Sequence, residues 1–500
     1  MSSEWPLLTL EEAGVRLIDC DHKTPKAREE GYPYVGIPQL KDGRIVLDGA
    51  RLISEEDFNQ WRRKAKPIDD DVILSRRCNP GESAYVPSGL EIALGQNLVL
   101  LRSDGVWVYP PFLRWVTQGP HWWSQVGKYL NVGAVFDSLK CADITKFEVF
   151  LPPIREQKKI ADILGGIDHK VLLNQQINQT LEQMAQAIFK SWFVDFEPVK
   201  AKIAARERWQ AHQSAQQPAS PVCYAAELEP ESVDPELETR MALAAMQAIS
   251  GKTEAQLARL QTEHPEHYAE LRATADLFPA AMQESELGEI PEGWRVAPFS
   301  DLARLDTTSV KPAQQPEKEW EHYSIPAFDD GQTPAHEFGA DIKSNKYKVH
   351  RSAVLASKLN PHFPRTWIPL VEDETAAICS TEFMPFVPLE ESHRPFVAGM
   401  VTSAPFQSGI MMRVTGSTGS RQRAQPKQVA VMDVVTPPTA LIAAYSKLAD
   451  PLMASTARNI SQSQTLAKLR DTLLPKLLSG EITVPEVDSQ LDEATETAHV

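Results

Sequence analysis

Apolar residues between Ile160 and Ile188 recur at helical spacing, with Ile160, Ile167, Leu181 and Ile188 at one heptad position and Ile163, Ile177 and Met184 at another. That period predicts one long helix with an apolar seam. A second stretch repeats the pattern, placing Leu452, Leu466 and Leu473 at one seam position and Leu448 and Leu469 at the other. Each stretch is preceded by a proline pair, Pro152 with Pro153 and Pro437 with Pro438, which suits the first turn of a helix but not its interior. A single offset of 285 residues aligns the proline pairs, Asn174 with Asn459, and Thr180-Leu181 with Thr465-Leu466, without a gap. The chain therefore reads as a tandem duplication. Both asparagines fall at an otherwise apolar seam position, where a polar residue fixes register at some cost in stability. Antiparallel packing about a pseudo-two-fold axis would bring Asn174 opposite Asn459.

The segments before the two helices have a different pattern. Residues 1–150 carry short apolar runs bounded by turn residues, such as Asp71 to Ser75 and Asn97 to Leu101, which predict strands in a mixed α/β or β-rich domain. A second globular segment begins near Gly288 and runs to about Thr436. Within it Val354 to Pro361 echoes Ile73 to Pro80 at an offset of 281, so the globular parts are expected to be distantly duplicated as well. Between them, residues 206–285 alternate Ala/Gln/Glu-rich helical pieces with a Pro/Ser-containing stretch and predict a connector with local helices. Leu478-Ser-Gly480 marks a helix stop. The predicted order is a globular domain at 1–151, a helix at 152–205, an acidic helical connector at 206–285, a second domain at 286–436, a second helix at 437–480 and an acidic mobile tail at 481–500.

A chain of 500 residues is too long for one ordinary core and suggests about three units. With 42% hydrophobic residues and a mean hydropathy of −0.31 it has the composition of a soluble globular protein. No apolar run approaches the roughly 18 residues of a membrane span. The first residues lack the basic and apolar stretches of a signal peptide, so a cytoplasmic location is expected. Five scattered cysteines, with no Cys-x-x-Cys and no histidine at ligand spacing, favour reduced thiols over disulfides or a metal site. The net charge of −16 argues against a polyanion partner only until it is mapped. Residues 227–292 hold 15 acidic and 4 basic side chains, and 481–500 hold 6 acidic and none basic. These account for the whole deficit, the two helical stretches are mildly basic, and a nucleic-acid partner is permitted.

The residues of the first helix, Pro152-Pro-Ile-Arg-Glu-Gln-Lys-Lys-Ile-Ala-Asp-Ile-Leu164, Asn174-Gln-Gln-Ile-Asn178, Leu181-Glu-Gln-Met-Ala185 and Phe189-Lys-Ser-Trp-Phe-Val-Asp-Phe196, resemble the central conserved region of the specificity subunit of type I restriction-modification systems. Leu473-Leu-Pro-Lys-Leu-Leu-Ser-Gly-Glu-Ile482 resembles the end of its distal conserved region. The second copy departs from the first where Thr439-Ala-Leu-Ile-Ala-Ala444 replaces its charged stretch, and the connector is longer than the minimal pattern. The resemblance implies an α+β chain. In it, two mixed α/β target-recognition domains are separated by two long antiparallel helices forming a coiled coil, duplicated about a pseudo-two-fold axis.

The resemblance also implies a sequence-specific, non-catalytic DNA-binding subunit that reads a bipartite asymmetric site on double-stranded DNA. It would dock two modification (methyltransferase) subunits, which bind S-adenosylmethionine, and translocase-nuclease subunits, which use ATP and Mg. The chain itself would bind no cofactor or metal. Ile160, Ile167, Asn174, Leu181, Ile188, Leu452, Asn459, Leu466 and Leu473 would form the coiled coil and docking helices. A helix from Ile160 to Ile188 rises about 42 Å at roughly 1.5 Å per residue, comparable with half-sites one duplex turn, about 34 to 36 Å, apart.

Direct readout favours Arg on guanine and Asn or Gln on adenine, while Lys, Ser and Thr reach phosphates. The densest candidate is the loop Thr415 to Gln425, with Ser417, Thr418, Arg421, Gln422 and Arg423. Ser75, Arg76, Arg77 and Asn79, and the matching Ser357, Lys358 and Asn360, follow predicted strands. Lys128 beside Trp122 and Trp123, and Arg365, complete the set. Two other classes remain open. A self-contained DNA adenine methyltransferase is suggested by Asn360-Pro-His-Phe363, although the second proline of the methyltransferase motif is missing and no Gly-rich loop precedes it. A protein-only coiled-coil scaffold would show no salt-dependent DNA binding.

Overall fold

The computed structural model describes residues 5–21, 23–133, 136–216, 234–415, 422–482 and 484. The described residues divide into two compact units, one drawn from residues 1–175 and 460–500 and the other from Gln176–Asn459. Each unit contains part of both long helices, which run Ile154–Phe193 and Thr439–Ser479.

In the first unit, strands Val15–Asp19, Leu98–Ser103, Val72–Ser75 and Ser83–Tyr85 form an antiparallel sheet in that spatial order. The two strands expected around residues 71–75 and 97–101 are its paired centre, with Val99 opposite Leu74. Their runs are continuously apolar because the sheet is buried on both faces, and Val72, Ile73, Leu74, Leu98, Val99 and Leu100 are all inaccessible. A smaller sheet pairs Tyr32–Val35 in parallel with Ala93–Leu94 and antiparallel with Arg51–Ile53. The start of the first long helix and the end of the second pack into this unit's core: Ile160, Leu164, Ile167, Leu473, Leu474 and Leu477 join Phe112, Trp115 and Trp122. The second helix ends at Ser479, where Gly480 takes the left-handed φ of 70° that the predicted stop requires.

The second unit repeats the sheet. Strands Ala303–Leu305, Phe383–Pro388, Val354–Ser357 and Thr366–Trp367 have the same antiparallel order and connectivity as the four of the first unit. A neighbouring sheet again contains one parallel pair, Glu319–Tyr323 with Ala377–Ser380. Its core is built on the end of the first long helix: Phe189, Trp192, Phe193 and Phe196 pack edge-on and tilted against Phe278, Trp294, Phe396 and Tyr445. Burying a ring of this size is worth about 1.5 to 3 kcal/mol, so the aromatic motif anchors this helix end to the second sheet domain. The backbone turns at Phe196, whose φ is 55°, and the helix expected to reach residue 205 is two helices, Ile154–Phe193 and Glu197–Gln216.

The described part of the connector packs as a small helical bundle. Helices Pro235–Ser250, Glu254–Glu263 and Pro265–Asp276 share a small core of Ala245, Met246, Leu257 and Ala275. The Lys202 ammonium, nearly buried, donates to the Phe278 carbonyl at 2.6 Å and ties the bundle to Glu197–Gln216. The boundary expected at residue 205 falls inside a helix, and the one at 285 falls inside the hairpin Met282–Ser285 with Gly288–Pro291. The acidic tail lies outside the described residues except at its first positions.

Candidate nucleic-acid interface

Each four-stranded sheet brings candidate residues together at one end. In the second unit the Lys358 amide donates to the Glu382 carbonyl and the Ala424 amide to the Lys358 carbonyl, both at 2.9 Å. The Asn360 amide donates to the Gln422 carbonyl at 3.0 Å. Lys358, Asn360, Gln422 and Arg423 are thereby one hydrogen-bonded cluster at the ends of strands Val354–Ser357, Phe383–Pro388 and Arg423–Ala424. The first unit has the same scaffold: the Arg76 amide donates to the Asn97 carbonyl at 2.8 Å, the Leu139 amide to the Arg76 carbonyl at 2.9 Å, and Arg77 bridges Ser138.

These contacts correct the alignment of the two copies. The echo at Asn79-Pro80 and Asn360-Pro361 implies an offset of 281, whereas the backbone superposes its features at 282. Ser75 and Ser357 both donate to the carbonyl two residues on, at 2.8 and 3.1 Å. Cys78 and Asn360 both take a left-handed φ, 66° and 46°, which Asn tolerates more readily than Cys. Arg76 therefore corresponds to Lys358, and Cys78 to Asn360.

Ser75 and Ser357 do not take the DNA-contact role expected of them. Both are buried, and their hydroxyls fix the turn after the strand, so neither is presented to a duplex. Arg77 and Asn79 are exposed. Arg76 is half-buried and lies 3.7 Å from the Asp19 carboxylate, which also attracts Lys64 at 3.8 Å. Lys128 is exposed but paired with Glu148 at 3.4 Å. Its neighbour Trp122 is core, donating to the Gly81 carbonyl at 3.1 Å, while Trp123 is exposed. Arg365 is held by Asp329 in a bidentate pair, Nε at 2.6 Å and Nη2 at 2.9 Å. Ser417, Thr418 and Arg421 lie outside the described residues, whereas Gln422 is half-buried and Arg423 exposed.

On the long helices, Ile160, Ile167 and Leu473 are buried, and Leu181, Ile188, Leu452 and Leu466 half-buried. The second inward row lies one residue later than the heptad spacing predicts. Ile177 and Met184 are exposed, as is Leu448, while Leu164, Val171, Asn178, Ala185 and Trp192 face inward. Both rows are compatible with a heptad, and only the packed partner selects between them. In the first unit Asn174 is fully buried and donates to Gln462 Oε1 at 2.9 Å and Ser463 Oγ at 3.2 Å. In the second unit Asn459 donates to Asn178 Oδ1 at 2.8 Å, and the Tyr445 hydroxyl to the Ala185 carbonyl at 3.1 Å. Within each unit, ascending residues on one helix meet descending residues on the other, so the pairing is antiparallel.

Two residues that sequence reasoning passed over fix the helices to the first sheet domain. Gln157, inside the Pro-Pro-Ile-Arg-Glu-Gln motif, is inaccessible. Its side chain accepts from the Tyr109 amide and donates to the carbonyls of Trp107 and Pro152, all at 2.8 Å. Asp168 gathers three guanidinium groups: Arg470 at 2.8 Å, Arg44 at 3.1 Å and Arg114, which is sandwiched against Tyr85 and Trp115. Burial pushes the Asp168 carboxyl up, but Arg114, Arg44 and Arg470 outweigh it and hold it below the usual carboxylate value. The motif signalled Gln157, whereas nothing local signals Asp168. Among the described residues no cluster of three or more His, Cys, Asp or Glu side chains is arranged to hold a metal, and no helix is long and apolar enough to cross a membrane.

Residues 18–183 match the family described as "Type I restriction modification DNA specificity domain". The chain is 28% identical over 442 residues to the HindI specificity subunit of Haemophilus influenzae, covering 83% of this chain and 88% of that one. It is 21% identical over 452 residues to the MjaIX specificity subunit of Methanocaldococcus jannaschii, covering 88% and 84%. The crystal structure of a type I system S subunit from M. genitalium aligns over 95% of this chain and 96% of its own, with 12% identity and a TM-score of 0.48. Residues 18–183 thus carry a type I restriction-modification DNA specificity domain, and over most of its length the chain is similar to type I specificity subunits, which supports its reading as a DNA sequence-recognition subunit.

Proposed function

We propose that this chain reads a two-part, asymmetric duplex site, one half with each sheet domain, and that its two long helices form the coiled-coil spacer between the readers. The observation that carries this reading is the duplication of one scaffold with different side chains. The same four-stranded order presents Arg76, Arg77 and Asn79 in one unit and Lys358, Asn360, Gln422 and Arg423 in the other. Similar scaffolds present different side chains to a duplex, and different side chains read different bases.

The chain acts without chemistry of its own. Two modification subunits dock on the helices and bring S-adenosylmethionine, and translocase-nuclease subunits with ATP and Mg complete the restriction complex in the cytoplasm. The exposed apolar residues Ile177 and Met184 support docking, because aliphatic side chains left out of the helix seam suit a protein partner better than water. Co-expression with the modification subunit, followed by single-molecule sequencing of methylated adenines, tests the reading. A two-part motif with an unspecified spacer of fixed length supports it. Methylation by the isolated chain, or a contiguous motif, would overturn it.

A further inference from the structure

Arg423 is the most exposed cation of the second unit's candidate cluster, and it is not free. Its Nε donates to both oxygens of Glu382, at 3.2 and 3.0 Å, and its Nη2 to Oε1 at 3.1 Å. The same Glu382 receives the Lys358 amide on its main-chain carbonyl. A carboxylate therefore stands inside a cluster whose other members suit a polyanion. The first unit has a carboxylate at the same end of its sheet, taken from a different strand: Asp19 ends Val15–Asp19 and faces Arg76, whereas Asn97 occupies the position equivalent to Glu382. Recurrence of the charge from a different part of the scaffold argues against a relic of duplication.

We propose that Glu382 is a specificity-determining residue. Its carboxylate holds the Arg423 guanidinium ready for a base edge and penalises its use on phosphate. The physical reasoning rests on the reading of this cluster as a DNA interface. An Arg that moves onto a phosphate leaves Glu382 unpaired and close to the polyanion, and like-charge juxtaposition is costly. An Arg that reaches guanine O6 and N7 in the major groove keeps its distance from phosphate. Glu382 can then accept a hydrogen bond from an exocyclic amino group, such as cytosine N4. Sequence-independent contact is weakened while the matched contact is retained, so the ratio between them widens. Glu382 is itself only 26% exposed at its side chain, which limits competing solvation by water.

The test uses the full chain assembled with its modification subunit, a duplex carrying the mapped site and a scrambled duplex of equal length and charge. The variant Glu382→Gln keeps the shape of the side chain and removes its charge. The expected result is about tenfold tighter binding to the scrambled duplex and a specificity ratio reduced at least about tenfold. Arg423→Ala is measured beside it. If Arg423→Ala weakens cognate binding while Glu382→Gln leaves the ratio unchanged, the proposal is wrong and the interface stands. If Arg423→Ala leaves cognate binding unchanged, the placing of the interface at Arg423 is wrong and the proposal falls with it. A melting temperature for Glu382→Gln equal to that of the parent shows that the ratio reports recognition; a ratio lost only through unfolding would also overturn the proposal.

Discussion

Asp168 of the first long helix accepts Arg470 Nη1 of the second at 2.8 Å, and both side chains are largely buried where the helices meet the first sheet domain. Arg44 and Arg114 approach the same carboxylate from the sheet side, so one acid joins three segments distant in sequence. Removing it leaves the buried Arg114 guanidinium without its paired carboxylate, while Arg470 keeps Asp471. Asp168→Ala should lower stability by about 3 to 5 kcal/mol, the range for breaking a buried pair on one side, measured by chemical denaturation.

The same carboxyl gives a sign for acid sensitivity. Its folded value is depressed, so its contribution is fully present above the ordinary carboxylate value and is lost as pH falls through the depressed one. Melting temperatures measured from about pH 7 down to pH 3 should fall more steeply for the parent than for Asp168→Asn. Equal slopes would show that the clasp does not titrate with folding.

Gly399, in helix Arg394–Thr402, lies directly against the Phe189 ring, and a Cβ there would overlap it. Gly399→Ala should destabilise the second unit by about 1 to 3 kcal/mol through overpacking. Adding Phe189→Leu should recover part of that loss, because the two changes share one contact. A calorimetric scan showing simple additivity would contradict the packing account.

Ile177 and Met184 are 38% and 48% exposed on the first long helix. Replacing both with Lys should change thermal stability little, within about 0.5 kcal/mol each as expected for surface positions. Association with the modification subunit, measured by analytical ultracentrifugation, should weaken at least tenfold. Unchanged association would place docking elsewhere.

How far the sequence disclosed this structure varied with how local the cause was. The helices at Ile154–Phe193 and Thr439–Ser479 were legible because proline pairs, heptad spacing and Gly480 act within a few residues. The strands around Leu74 and Val99 were legible as apolar runs between turns. The choice between Ile163 and Leu164 as the inward row was not, since both are apolar and only the facing helix decides. The one-residue slip between the copies has a similar origin: matching Asn79 with Asn360 looks better on paper, but the turn geometry equates Cys78 with Asn360. The pairs Asp168 with Arg470 and Glu382 with Arg423 are separated by hundreds and tens of residues, and no local pattern announces them. Ser75 and Ser357 serve the turn, and sequence does not separate that role from ligand contact because a serine after a strand suits either.

Phosphate contacts and base contacts should separate by salt. Lys358→Ala should weaken binding to all duplexes and reduce the slope of log affinity against log salt by about 1. A variant that loses affinity without changing the slope would identify a base contact or a structural role.

On the proposed function, two similar scaffolds read two different half-sites. Single-molecule methylation mapping of the co-expressed complex, parent against Arg423→Ala, tests it most directly. The expected result is a two-part motif in which this substitution relaxes bases in one half only and leaves the other half and the spacer length unchanged. Relaxation of both halves together, or a single contiguous motif, would contradict it.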